Sequence, residues 1–370
     1  MTRGFFRLFL LILLLISCRH ENKNNLKPSL HNDYAKFFEL SKLKDGFLLK
    51  VKEPYPGARP QIIVLSQDTA HRPPSDTLFV TVPVKKFVAT SVTHLQPLKE
   101  LGVLDKLQGF TDTKYIADPE IIARVKRGEI LDVGHANAMD MEKLLQLSPD
   151  LIFMFASGPE DQQDDLLKRH GITPVYVAEW METHPLGRAE WIKFFGIFFG
   201  KEKQAVDIFE KIKNNYLRLF SGVSKTGRKP KIFQGGRFGD KWYVPGGRSW
   251  AAQLIRDAGG EYLIDNHETA STLLNNEQAL LLLEQADIWF NPGTWQSMEQ
   301  ILKEFPQVKN IRVFNQNQIY SAYTRKNSAG KNEFFEKSVL HPEYLLDDYR
   351  KIFEQSPDTA FYFMQKLSGK

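Results

Sequence analysis

Cysteine is all but missing: Cys18 is the only one in 370 residues. An internal disulfide therefore cannot form, and a thiolate metal cluster has nothing to be built from. No HExxH and no paired-histidine spacing occurs either, so no directly held zinc or manganese is expected. The signatures of catalysis are equally scarce. GGRFG (235–239) lacks the lysine and hydroxyl residue of a phosphate loop, and there is no GxSxG and no glycine-rich dinucleotide fingerprint. Neither an enzyme nor a cofactor is expected. Lysine and arginine (49) outnumber aspartate and glutamate (44) only slightly, and they are interspersed instead of forming blocks. Nucleic acid is thus not an expected partner. Beyond the first eighteen residues no apolar stretch is long and continuous enough to cross a membrane.

The N-terminus is different. MTRGFFRLFLLILLLISC places Arg3 and Arg7 before an unbroken apolar run, Leu8 to Ile16, which is too short to span a bilayer but suits the core of a secretory signal. Leu15-Ile16-Ser17-Cys18 resembles the lipobox of bacterial lipoproteins. That resemblance implies a signal peptide over 1–17, cleavage before Cys18, and a lipid on Cys18 that ties the protein to a bacterial membrane. Residues 18–32 are polar and aperiodic and read as a flexible tether.

The stretch 33–85 looks β-rich. Phe47, Leu49 and Val51 alternate in GFLLKVKEPYPG, QIIVLS and TLFVTVP follow, and HRPPSD (His71 to Asp76) reads as a loop. From Lys86 strands alternate with helices, which favours a parallel sheet with helices on its faces. That pattern defines a lobe over 86–200. A helix over 201–221, with Ala205, Ile208, Phe209, Ile212, Tyr216 and Leu219 at helical spacing, would span roughly 30 Å and bridge to a second lobe over 222–370. The halves repeat one unit. AMDMEKLLQLSPDLIFMFASG (138–158) and NNEQALLLLEQADIWFNPG (275–293) each run from a helix into an apolar strand, with a lone acid, Glu142 or Glu277, just inside the helix start. The expected fold is α/β: two doubly wound lobes joined by a single long helix, with an extra β-rich N-terminal segment.

Four segments in order carry a family resemblance: FVATSVTHLQPLKELGVLDKLQGFTD, then Val133 to Phe153 with DMEKLLQLSPDLIF, then KIFQGGRFGDKWYVPGGRSWAAQLIRDAGG, then FFEKSVLHPEYLLDDYRKIF. Across Lys86 to Phe353 the chain resembles the periplasmic substrate-binding proteins of ABC importers for iron–siderophore, haem and cobalamin uptake. The resemblance implies a ligand cleft between two lobes, a periplasmic, lipid-anchored location, and delivery to a permease and its ATPase. It also implies that two exposed glutamates, one per lobe, dock onto permease arginines, and Glu142 and Glu277 occupy those places. Locally, each would also suit a helix dipole, worth about 0.3–1 kcal/mol. Residues 33–85 depart from the family pattern and receive no role.

Ligands of doubly wound sheets bind beyond the carboxyl ends of the strands. The loops there supply Tyr115, His135, Phe155, Trp180, Arg237, Trp242, Trp295, Tyr323 and Arg325 as candidate ligand contacts. Aromatic faces and guanidinium forks of this kind suit a large, partly aromatic, partly anionic ligand. A single histidine is a poor metal signal, and His135 is read as polar lining. The expected cargo is a ferric siderophore or related iron complex. Cobalamin, haem and a non-transport scaffold lipoprotein stay open as alternatives.

Overall fold

A computed structural model describes residues 30–68, 77–159, 163–224, 226–358 and 360–369. The signal segment, Cys18, the tether as far as Ser29 and the HRPPSD loop lie outside the described residues.

The first element is a four-stranded sheet of β1 (Phe38–Leu43), β2 (Gly46–Val51), β3 (Gln61–Ser66) and β4 (Leu78–Thr81), paired in that order. β1, β2 and β3 are antiparallel neighbours, and β3 pairs β4 in parallel. Side chains alternate across each strand, so Leu49, Val51, Ile63 and Leu65 all point into the core. Phe38 packs edge-on against Trp191 and Phe194, at ring distances of 4.8 and 5.8 Å.

The first lobe carries β5 (Phe87–Ala89), β6 (Leu107–Phe110), β7 (Leu131–Asp132), the small hairpin β8 (Gly134–His135) and β9 (Ala138–Met139), β10 (Leu151–Met154) and β11 (Thr173–Tyr176). Its sheet runs β11-β10-β5-β6-β7, and every pairing is parallel. The second lobe carries β12 (Lys231–Gln234), β13 (Gly236–Phe238), β14 (Lys241–Pro245), β15 (Glu261–Tyr262), β16 (Ser271–Leu274), β17 (Ile288–Phe290), β18 (Ile319–Ser321) and β19 (Gln365–Lys366). Its main sheet runs β15-β12-β17-β18-β19, with β13-β14-β16 as a separate antiparallel sheet. The two main sheets share one order. β6-β5-β10-β11 corresponds to β15-β12-β17-β18, and in each the opening strand lies between the next strand of its sheet and the strand that closes the repeated unit. β10 and β17 are buried along their whole length, as strands covered on both faces must be.

Two consecutive helices follow β11, the first belonging to the first lobe and the second bridging to the second lobe. Pro185–Phe198 is buried at all fourteen positions. Glu202–Ser221 has 20 residues, so its length is about 30 Å. It packs on Pro185–Phe198 and on the second lobe's helix Pro342–Phe353. The Tyr216 hydroxyl donates to Asp257 Oδ2 at 2.6 Å, which fixes the far end of this helix to the second lobe. The segment FFEKSVLHPEYLLDDYRKIF forms two helices, Phe334–Lys337 and Pro342–Phe353. Pro342 has no amide hydrogen for a continuing helix and takes the first position of a new one.

Candidate ligand-binding cleft

A cavity of about 350 Å³ opens between the lobes. The first lobe lines it with Trp180 and Met181, which follow the end of β11, and with Arg188. The second lobe contributes Gln234 at the end of β12, Trp250, and Tyr323 just past β18. These strand ends face one another across the cleft, where doubly wound sheets place their ligands.

Arg188 is the electrostatic centre of the site. It projects from the first turn of the buried helix and is 8% exposed. Its guanidinium lies over the Trp250 ring at 4.4 Å, so the pair crosses from one lobe to the other. Trp250 is held in place because it opens a helix whose N-cap, Ser249, accepts from the Ala252 amide. Burial lowers the Arg188 pKa, and the charges of Glu179 and Glu182 oppose that. Glu179 is itself buried, which raises its pKa against the pull of the Arg188 charge, and neither of its oxygens has a hydrogen-bond partner among the described residues. Two buried donors at this point, Arg188 Nε and Trp180 Nε1, find no acceptor among the described residues. An unmade hydrogen bond of this kind costs roughly 1–3 kcal/mol, and a bound acceptor would recover it. Tyr323 stacks on Phe335 at 5.4 Å, and burial pushes its hydroxyl up to about 12, so it stays neutral.

A polar seam closes the lobes against each other. His341 of the second lobe contacts Glu100 of the first through Nε2 and Glu343 through Nδ1. Glu336 accepts from the Ala117 amide, Asn327 Nδ2 donates to the Ala117 carbonyl at 2.8 Å, and Lys331 Nζ donates to the Lys114 carbonyl at 2.9 Å. Burial works against a charge on His341, but the two carboxylates outweigh it and lift the imidazole to about 9. Burial pushes Glu336 up to about 7, with Asp118 and Glu333 adding to the rise and the Ala117 amide opposing it. Both groups bind their proton more tightly folded than unfolded. The His341 contribution is complete below its ordinary 6.5 and is lost as pH rises through 9. Glu336 favours the fold most below 4.5 and loses that as pH rises through 7. Stability is therefore expected to fall between pH 6.5 and 9, the His341 share being on the order of 3 kcal/mol. Thermal melts across that range should show the fall, and His341→Gln should flatten its upper part. An equal slope in the variant would remove His341 as its source.

The sequence candidates divide sharply. Trp180 and Tyr323 line the cavity, and Phe155 leans on Trp180 at 5.8 Å without lining it. Trp242 and Trp295 do not belong to the cleft. Trp242 is fully buried, donates to Asn276 Oδ1, and clusters with Trp289, Trp295 and Phe305. Strand alternation explains it, since in β14 Trp242 and Val244 face inward while Tyr243 faces solvent. Trp295 is 3% exposed and donates to Glu304 Oε2 at 2.7 Å. Arg237 also lies outside the cleft, donating to the Glu304 carbonyl and sitting 5.5 Å over Phe305. Arg325 donates to the Phe361 carbonyl and lines a separate cavity of about 280 Å³ made by the second lobe alone. Tyr115 and His135 do not line the cleft cavity but gather at Asp112, Tyr115 on the turn after β6 and His135 in the hairpin strand β8. His135 Nδ1 lies 2.8 Å from Asp112 Oδ1, and Lys114, paired to Asp112, lies 5.0 Å over the Tyr115 ring. The sequence reading missed Arg188, Trp250 and Gln234. Among the described residues no group of three or more His, Cys, Asp or Glu could hold a metal, and no helix is long and apolar enough to cross a membrane.

Glu142 and Glu277 occupy equivalent places. Each is the second residue of its helix, Met141–Leu147 and Asn276–Gln285, each is exposed, and neither has an ion pair among the described residues.

A sequence profile described as "Periplasmic binding protein" matches residues 87–324. The chain belongs to the periplasmic binding protein family. An uncharacterized lipoprotein of Methanocaldococcus jannaschii is 29% identical to this binding protein over 259 residues, which is 65% of this chain and 61% of the relative. The chain thus spans less than two thirds of that relative's length. A second lipoprotein from the same organism is 25% identical, over 79% of this chain and 76% of its own. Among solved structures, a periplasmic heme binding protein from Pseudomonas aeruginosa superposes with a TM-score of 0.59 at 15% identity, over 78% of this chain and 99% of that one. A protein of the Fe3+-hydroxamate transport system of Saccharomonospora viridis gives 0.55 at 15% identity, over 73% and 93%. At these identities the structures share the two-lobed fold with this binding protein.

Proposed function

We propose that this binding protein is the capture component of an ABC importer. It takes a metal chelate into the interlobe cleft and hands it to a permease that reads Glu142 and Glu277, while a lipid on Cys18 keeps it at the membrane. The observation that carries this reading is the cleft itself, an aromatic cavity at paired strand ends. Among the described residues that line it, Arg188 alone carries a charge.

That composition also narrows the cargo. The cations that favoured an anionic ligand, Arg237 and Arg325, lie elsewhere, and Arg188 is already offset by Glu179. A chelate of high negative charge would enter this cavity largely uncompensated, at a desolvation cost of several kcal/mol per ion. The lining supports a chelate of low net charge with apolar faces and one acceptor group for Arg188 and Trp180. Ferric hydroxamate siderophores fit that description, and a corrinoid is the second reading on the same ground.

The test is a titration of the Cys18→Ser protein with ferric hydroxamate, ferric catecholate, ferric citrate, haem and cyanocobalamin. Tryptophan fluorescence with inner-filter controls would follow binding, and native mass spectrometry would confirm any complex. Saturable binding of the hydroxamate or the corrinoid is expected, weakened about tenfold or more by Arg188→Leu through loss of a charged hydrogen bond. Binding of the catecholate alone would overturn the charge argument. No binding to any of the five would sink the chelate reading.

A further inference from the structure

The backbone amides of residues 33–37 are all fastened to the protein by side chains, and the Phe37 carbonyl also accepts from the Lys52 amide at 2.8 Å. Glu190 accepts from the amides of Asp33 (2.9 Å), Tyr34 (2.7 Å) and Ala35 (2.8 Å). Glu182 accepts from those of Lys36 (2.9 Å) and Phe37 (3.0 Å), and also from Trp191 Nε1 at 3.0 Å. Lys193 pairs with Glu190 at 2.7 Å and donates to the His31 carbonyl at 2.8 Å. The segment lies close on the start of the buried helix, where a Cβ on Gly187 would come within 3.2 Å of the Tyr34 carbonyl oxygen. That same helix carries Arg188.

This attachment decides where Phe37 ends up. Together with Pro56, from the connection between β2 and β3, it lines the interlobe cavity that also holds Trp180, Arg188, Trp250 and Tyr323. Both residues lie outside the stretch that matches the family profile, which starts at residue 87. We propose that the N-terminal sheet is a third wall of the ligand site, with Phe37 as its contact and a determinant of which chelate fits. The proposal rests on the cleft being the ligand site. Five amides on two buried carboxylates hold this wall stiffly, and a stiff apolar wall selects by shape. It also gives the segment 33–85 a role at the site.

Two measurements on the Cys18→Ser chain test it. The first needs no ligand. Phe37→Cys supplies that chain's only thiol for a bimane label, whose emission is quenched by contact with tryptophan. Emission is expected to rise when Trp180→Phe and Trp250→Phe are added. An unchanged emission would mean that position 37 does not face the cleft, and the proposal falls. The second uses ferric hydroxamate and cyanocobalamin as probes. Phe37→Ala is expected to weaken the bound chelate about tenfold or more at the parental Tm, with Phe37→Leu recovering part of the loss and the ratio between the two probes changing. An unchanged Kd and ratio in both variants overturns the proposal. If the parent binds neither probe, the proposed cargo fails, and the bimane measurement alone decides whether the sheet forms a wall of the cleft.

Discussion

Glu190→Ala is expected to lose roughly 3–5 kcal/mol of stability, the largest effect of any single substitution considered for this protein. The carboxylate is fully buried, and it meets three amides and the Lys193 ammonium, which is itself 1% exposed. Removing it strands an ammonium in the interior, with little left besides the His31 carbonyl and the Phe209 ring at 4.7 Å. Leaving one charge of a buried pair unpaired costs far more than the pair contributes. The double variant Glu190→Ala/Lys193→Met separates these terms. It removes the stranded charge, so it should recover a substantial part of the loss, while the three amides of residues 33–35 remain without an acceptor. Urea unfolding followed by intrinsic fluorescence provides the measurement. A midpoint equal to the parent's for Glu190→Ala would mean that the carboxylate does not hold the segment. The functional consequence follows from the chain itself. Phe37 lies two residues beyond Ala35, so loosening 33–35 should also weaken a ligand that touches Phe37.

The repeated unit was the most legible part of the fold. In both copies a capped helix feeds a short strand of consecutive apolar residues, LIFM or IWF, and a parallel strand covered on both faces accounts for such a run. The bridging helix was legible for a similar reason, since the buried residues Ala205, Phe209, Ile212 and Tyr216 follow a single period. The site was far less legible. Trp242 sits among glycines, a lysine and a proline and reads as loop lining, yet strand parity turns it into the core. Arg188, Glu190 and Lys193 are charged residues of the helix Pro185–Phe198, and nothing in their own spacing shows that they are buried. Glu190 and Lys193 are buried where residues 31–35 cover them, at the head of a segment that has no role in the sequence reading. A charge on a helix shows its chemistry in sequence, but its burial depends on what packs over it, and that contact spans about 150 residues.

Charge reversal at Glu142 and Glu277 should have the largest effect on transport. Glu142→Arg and Glu277→Arg together are expected to abolish uptake of the bound chelate in cells, while the purified protein binds it with the parental Kd. Two accounts of these residues diverge in size. As helix-start acids each interacts with its dipole, and both reversals together would remove on the order of 1–2 kcal/mol of stability, with no further effect on transport. As docking groups facing permease arginines, each reversal sets like charges against each other, which costs several kcal/mol per contact and lowers complex formation on the order of a hundredfold or more. Each glutamate is exposed at the second position of its helix and free of ion pairs among the described residues, so neither is needed to hold its own lobe together. One reversal leaves the other lobe's contact in place, so single variants should retain partial uptake and the double variant should show the full loss. Each assay pairs uptake with a melt and a Kd. Loss of uptake with binding and folding intact supports docking, whereas undiminished uptake in the double variant removes both glutamates from the permease contact and leaves them as helix-start acids.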